Sequence, residues 1–266
     1  MIKINSELPM GLLSENKRLN EYDFVLFHLY NSNPNYRIYY KNMSRFCILD
    51  NSAYEFYIKG EELDMDLYRE AINDLMPDLY ILPDVLMDKD KTLELSKRFL
   101  DKSIDNLKSD PMGVLQGNTP EEMIECLKEY KKLGIRAIAI PFHNSFYTDY
   151  KVDVDIKEFF SEQFRRITKD HLYAMGRVQF MRDHKDLLED MCHVHILGSH
   201  CPIEKVFYGN FQTMDTGYPV KCGIAGERLF EEKEKPNIII DDFMSTDLSP
   251  ITKNLIIDNV EKFRRL

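Results

Sequence analysis

The chain has 266 residues, a formal net charge of −10, 44% hydrophobic and 30% charged residues, enough for one large or two small domains with a core that needs neither disulfides nor metal. The acidic balance speaks against nonspecific nucleic-acid binding by the chain as a whole, though not against a local basic surface. No apolar run reaches the roughly 20 residues of a membrane-spanning helix, and the first residues lack the long apolar stretch of a signal peptide. The five cysteines, Cys47, Cys126, Cys192, Cys201 and Cys222, are scattered and odd in number. That pattern predicts reduced thiols in a cytoplasm rather than a disulfide framework.

Residues 23–30 are apolar and aromatic and predict a buried strand. The Asn-Ser-Asn-Pro-Asn cluster at 31–35 predicts a turn. Residues 45–49 predict a second strand, which delivers Asp50 and Asn51. Leu63, Leu67, Ala71, Ile72 and Leu75 share one face of a helix over 63–75. A third strand at 79–82 ends in Pro83 and Asp84. A helical pattern over 88–107 turns Leu93, Leu100, Ile104 and Leu107 inward, and a fourth strand at 112–115 ends in Gln116 and Gly117. Thr119 as N-cap, Pro120 at the first helical position and Glu122 in a capping box open the next helix, and Gly134 stops it.

A fifth strand follows at 135–140, then helical segments near 155–169 and 172–189. Residues 193–197 and 211–214 predict the sixth and seventh strands, joined through Gly198 and a short segment that begins at Pro202. Residues 237–240 are a candidate eighth strand or edge element, and 247–266 a terminal helix with Leu255, Ile256, Val260 and Phe263 as its apolar face. Short apolar strands alternating with amphipathic helices indicate a parallel α/β protein. Seven or eight such units in about 250 residues favour a (β/α)8 TIM-type barrel in a single domain over 1–266, with irregularity at the termini allowed. Neither a G-x-G-x-x-G after a strand nor a G-x-x-x-x-G-K-[ST] loop is present, which weakens dinucleotide and nucleoside-triphosphate readings.

Four of the strands end in polar groups: Asp50, Asp84, Gln116 and Asp215. A single acid at a strand end is more often a turn residue than a catalytic one. In a barrel of this type, however, all four point into the C-terminal mouth, where chemistry is built. Two carboxylates there can divide nucleophilic and acid–base work. An amide beside a carboxylate suits a flat heterocycle, since both offer in-plane hydrogen-bonding groups.

At these positions the chain resembles the tRNA-guanine transglycosylases. Asp50-Asn51-Ser52-Ala53-Tyr54-Glu55 is similar to their Asp-Ser-Gly-Gly-Phe/Tyr-Gln motif, and Gln116-Gly117 to their Gln-Gly strand end. Residues 197–203 resemble their Met-Gly-x-Gly-x-Pro-Glu segment, and 213–221 their Met-Phe-Asp-x-x-x-Pro-Thr-Arg. Order and spacing agree over residues 46–221. The resemblance implies Asp215 as nucleophile, Asp50 as general acid/base and Asp84 and Gln116 as base-reading groups. It also implies substrate contacts at Gly117, Leu197, Gly198 and Tyr54, and Lys221 toward the nucleic acid.

The chain departs from the family in two places. Ile140-Pro141-Phe142-His143-Asn144-Ser145 stands where the family has a Gly-Gly-Leu-Ala-Val-Gly-Glu loop against the base. The cysteine-rich zinc site that follows the nucleophile is missing, with only Cys222 beyond Asp215. A compact form without the zinc subdomain looks like the phage-type branch that inserts 7-deazaguanines into DNA. The implied partners are therefore DNA, preferred over tRNA, and a free 7-deazaguanine base, with no membrane, no cofactor and a homo-oligomer permitted. The alternatives are a non-catalytic binding paralogue and an unrelated barrel hydrolase that uses the same carboxylates.

Two further clusters stand apart from the strand ends. Residues 164–185 hold Arg165, Arg166, Lys169, Arg177, Arg182 and Lys185 against only Asp170 and Asp183. Arg165, Arg177 and Arg182 are the expected phosphate contacts, with a solvated helix face as the plain alternative. His193 and His195 alternate along a strand near Cys201. Without a C-x-x-C pair, buried and hydrogen-bonded histidines are the expected account rather than a zinc site.

Overall fold

The computed structural model describes residues 1–102, 108–164, 166–209, 211–230 and 247–266. Its eight strands are β1 (Lys3–Ser6), β2 (Asp23–Leu26), β3 (Cys47–Asp50), β4 (Leu79–Ile81), β5 (Asp110–Val114), β6 (Ala137–Pro141), β7 (His193–Leu197) and β8 (Thr213–Thr216). They form one all-parallel sheet in the order β1-β8-β7-β6-β5-β4-β3-β2. Helices interleave with the strands, as a (β/α)8 barrel requires.

Side chains finish the seam between β1 and the segment entering β2. Glu21 N donates to Ile4 O at 3.1 Å, and the Glu21 carboxylate accepts from Ile4 N at 2.8 Å. Asn5 Nδ2 donates to Tyr22 O at 2.8 Å, while the Asn20 side chain accepts from Ser6 N at 2.7 Å and donates to Ser6 O at 2.8 Å. Amides here take the partners that a strand ladder supplies elsewhere, so the edge groups do not stay unpaired.

β1 was not among the predicted strands. It is four residues long and carries Lys3, Asn5 and Ser6, with Asn5 and Ser6 buried. A buried polar strand leaves no apolar period to read. The seven predicted strands are all present, 193–197 with the predicted bounds and the other six with one or both ends shifted. The predicted first strand stops at Leu26, and residues 27–32 turn into the helix Phe27–Ser32. The predicted turn at 31–35 is instead the junction of two helices: the Asn33 side chain caps Pro34–Lys41 by accepting from Asn35 N and Tyr36 N at 3.0 and 3.2 Å. The predicted eighth strand at 237–240, the inward positions Ile104 and Leu107, and Arg165 lie outside the described residues.

The helix Pro120–Lys132 begins as its residues predict, with Thr119 Oγ1 accepting from Glu122 N at 3.2 Å. Glu122 itself accepts from Asn118 N at 2.5 Å, one residue earlier than in a capping box. Tyr68 shows how a helix is tied to the barrel. Its ring is fully buried, and its hydroxyl donates to Leu49 O at 3.2 Å or Ile81 O at 2.8 Å, between β3 and β4. The terminal helix Pro250–Arg265 buries Ile256, Val260 and Phe263. It crosses the helix Tyr218–Ile224 at Gly223, where a Cβ would stand 2.5 Å from Ile256 Cγ1, so only glycine permits this approach.

Candidate active site

The polar strand ends converge as the barrel arithmetic expects. Asp50 at the end of β3, Asp84 beyond β4, Gln116 beyond β5 and Asp215 in β8 all line one cavity at the C-terminal mouth. The cavity measures about 160 Å³, the order of volume that admits one aromatic ring.

Asp215 is held on one side. Its Oδ1 accepts from Gly198 N at 2.8 Å and lies 3.0 Å from His195 Nε2, and the residue is 2% exposed. The Gly198 amide can point there because the chain leaves β7 through a left-handed turn, φ +65°, which glycine adopts at no steric cost. A buried guanidinium fastens that turn. Arg177 donates to Leu197 O at 3.0 Å and to Gly198 O at 2.8 Å, and pairs with Glu204 at 2.6 Å. Glu204 also accepts from Tyr208 Oη at 2.8 Å and from the Ser199 hydroxyl.

Asn51, Asp84 and Gln116 form a hydrogen-bonded array on the opposite wall. Asp84 accepts from Asn51 Nδ2 on one oxygen and from Gln116 Nε2 on the other, both at 2.7 Å. Asn51 Nδ2 also donates to Leu82 O at 2.7 Å, and its Oδ1 accepts from Ala53 N at 2.8 Å. Gln116 Oε1 accepts from Met87 N at 2.8 Å. With both amide orientations pinned by backbone, Asp84 presents a preset hydrogen-bonding edge to the cavity. Burial raises the Asp84 carboxyl, and the two amide donors oppose it.

The remaining acids are crowded. Burial pushes the Asp50 carboxyl well above the usual carboxylate range, with the Glu55 charge adding to it and the Ser52 N–H, 2.7 Å from Oδ2, opposing it. Ser52 reaches that position with φ +60°, a costly conformation for a residue with a Cβ. The Ser52 hydroxyl is engaged by His28 N at 3.2 Å and His28 Nδ1 at 2.9 Å, which hold it there.

Glu7, just past β1, is a site residue that sequence reasoning missed, as is Glu55. Both line the cavity and both are 8% exposed. Glu55 closes the motif that begins at Asp50 and could have been found there. Glu7 follows a strand without an apolar signature, so nothing marked it. Burial first, then the Asp215 charge, pushes the Glu7 carboxyl well above its ordinary range, with Lys221 opposing. Folded protein thus keeps a proton on Glu7 that the unfolded chain loses above about pH 4.5, and folding stability falls as pH rises from there toward the raised value. Glu7→Gln is expected to flatten part of that slope, gaining stability over wild type at pH 8 relative to pH 5. Urea unfolding at the two pH values checks this; an unchanged slope would mean that Glu7 is ionised in the fold.

Leu197 and Gly198 line the cavity, and Tyr54 stands at its rim, 48% exposed. Lys221 also lines it, its charge near Glu7, inside the site rather than on an outer basic surface. His143 and His200 add a nitrogen-bearing aromatic rim around Phe142. Gly117 lies behind the wall instead: its carbonyl accepts from Asn144 Nδ2 at 2.7 Å, and a Cβ there would meet Glu122 Cβ at 2.7 Å. Its glycine serves the packing of the next helix, which corrects the expectation of a substrate contact.

Arg177 is likewise corrected. It is 0% exposed and neutralised by Glu204, so it touches no phosphate. Arg182 is half exposed but paired with Asp155 at 2.7 Å and Asp153 at 3.7 Å, acids contributed by another segment. The local count of cations over 164–185 could not show these partners. Removing one member of a buried pair strands the other, at about 3–5 kcal/mol. Arg177→Met is therefore expected to lower stability by about that much, and Glu204→Gln in the same chain to recover part of it. Chemical denaturation of single and double variants measures both; a near-neutral single variant would contradict the buried pair.

Among the described residues no group of three or more His, Cys, Asp or Glu side chains is placed to hold a metal ion. His193 and His195 both bond to Thr213, at 2.7 and 2.9 Å. No helix among the described residues is long and apolar enough to cross a membrane. No protein-family model matches the chain, and no curated protein matches it in sequence.

Proposed function

We propose that the protein is a base-exchange transglycosylase, which replaces guanine in a polynucleotide with a 7-deazaguanine derivative through a covalent aspartyl–sugar intermediate. The observation that carries this reading is the division of labour around one ring-sized cavity. On one wall stands a carboxylate with one oxygen held between the Gly198 N–H and the His195 ring; near it is a carboxyl, Asp50, pushed toward its protonated form; on the other wall lies the hydrogen-bonded Asn51–Asp84–Gln116 array.

A heterocycle docks its polar edge on Asp84 and Gln116. Asp215 attacks the anomeric carbon as the glycosidic C–N bond breaks, and the bond pair leaves with the base, which takes the Asp50 proton. The sugar is then an ester of Asp215. The incoming base gives its N–H proton to ionised Asp50 and its nitrogen pair to the anomeric carbon, and the ester C–O pair returns to Asp215. Proton transfer of this kind suits a carboxyl whose pKa has been moved toward neutrality. The resemblance over residues 46–221 points to the same roles, and the preference for DNA over tRNA rests on the resemblance to the phage-type branch.

Incubation with radiolabelled guanine and either DNA or tRNA tests the proposal. Label in DNA is the expected result. Label in tRNA alone would reassign the polymer, and label in neither, with folded protein, would overturn the reading.

A further inference from the structure

Behind Asp215 a line of hydrogen bonds runs down the barrel interior that the reaction scheme does not use. His195 Nε2 lies 3.0 Å from Asp215 Oδ1, His195 Nδ1 lies 2.9 Å from Thr213 Oγ1, and Thr213 Oγ1 lies 2.7 Å from His193 Nε2. His195 and Thr213 are 0% and 1% exposed, and His193 opens β7 at the opposite end of the strand from the cavity.

Valence settles the direction of this line. An ionised carboxylate only accepts, so the proton between His195 and Asp215 sits on Nε2. In a neutral imidazole the lone pair is then at Nδ1, which takes the single Thr213 proton. With its proton committed, the Thr213 oxygen accepts from His193 Nε2–H. Every donor points toward Asp215. Stacking holds both rings in place, Phe24 on His195 at 5.1 Å and Phe46 on His193 at 5.5 Å. Burial keeps His193 neutral by lowering it to about 3, which suits a chain of neutral donors.

We infer that His195 is a positioning residue for Asp215, its Nε2–H tautomer set by Thr213 and His193, and that Asp215 therefore reacts through Oδ2. Oδ1 already accepts from Gly198 N and His195 Nε2. When Oδ2 bonds to the anomeric carbon, Oδ1 becomes the ester carbonyl and keeps both donors. When the C–O bond breaks, the electron pair returns to a carboxylate that those donors are already placed to stabilise. They act like the donors of an oxyanion hole, set before the charge arrives. The kinetic part of this inference rests on the transglycosylase reading; the tautomer does not.

The test combines ring-nitrogen spectroscopy with kinetics. In protein labelled with 15N-histidine, the His195 signals are assigned by their loss in His195→Gln. Wild type is expected to show a protonated Nε2 and an unprotonated Nδ1, and Thr213→Val to mix or reverse the two. His195→Phe keeps an aromatic ring against Phe24 but removes the donor. Its kcat for exchange should fall about 10²–10³-fold with KM for the polymer unchanged. His195→Gln, whose amide nitrogen can reach the Nε2 position, should recover most of that loss. A purely structural role would instead lower the melting temperature of both variants alike and leave no rescue.

A protonated Nδ1 in wild type, or a His195→Phe variant that exchanges at the wild-type rate, overturns the inference while the transglycosylase reading stands. Wild type that shows the Nε2–H tautomer but exchanges no base in either polymer overturns the reading and leaves the hydrogen-bond chain in place.

Discussion

Asp215→Asn is expected to abolish base exchange, by at least about 10⁴-fold, as loss of a covalent nucleophile does elsewhere. A glycosidic carbon gains oxocarbenium character as its base departs, and a carboxylate alongside both stabilises and captures it. Asparagine keeps the shape and can still accept from Gly198 N and His195 Nε2, so the turn and the cavity should survive. It has neither the charge nor the second carboxylate oxygen with which to bond. Denaturing gels of enzyme mixed with polymer should show a shifted band for wild type and none for the variant, while polymer binding persists. A band that remains in Asp215→Asn would move the nucleophile elsewhere, with Asp50 the next candidate.

Asp50→Asn is expected to slow exchange by about 10²–10⁴-fold, the usual worth of a positioned proton donor. Here pH separates the roles of the two acids. Asp50 is raised by burial and by Glu55, so its acid form persists above the ordinary carboxylate range and is lost as pH rises through the raised value. Departure of the first base should therefore weaken across that alkaline limb in wild type, and the limb should vanish in Asp50→Asn. Single-turnover rates of base release against pH measure this. An Asp50→Asn variant that keeps the alkaline limb would show that another group delivers the proton.

Much of the site was legible because the chemistry sits where strands stop. Asp50, Asp84, Gln116 and Asp215 each follow a short apolar run, and an eightfold parallel barrel brings such ends to one mouth. Glu7 follows a strand made of Lys3, Ile4, Asn5 and Ser6, where no such run exists. Its membership in the site depends on β1 pairing with β8, which sets Asn5 opposite Asp215. That pairing spans almost the whole chain, and no local pattern encodes it. The ion pairs of the basic segment were hidden for a related reason. Charge along 164–185 is a one-dimensional count, whereas Arg177 and Arg182 take their partners from Glu204 and Asp155, 27 residues away in each case.

The order of the strands from β2 to β8, the barrel class and the four polar strand ends were thus properties of the sequence itself, since they follow from apolar period and local punctuation, which act over a few residues. The raised carboxyl of Glu7, the inward turn of Arg177, the strained Ser52 and the hydrogen-bond line between His193 and Asp215 were decided by the tertiary structure alone. Each depends on burial or on a partner brought near by strand pairing. Desolvation and hydrogen bonding act through space, and a side chain's chemistry is set by what surrounds it rather than by its neighbours in the chain.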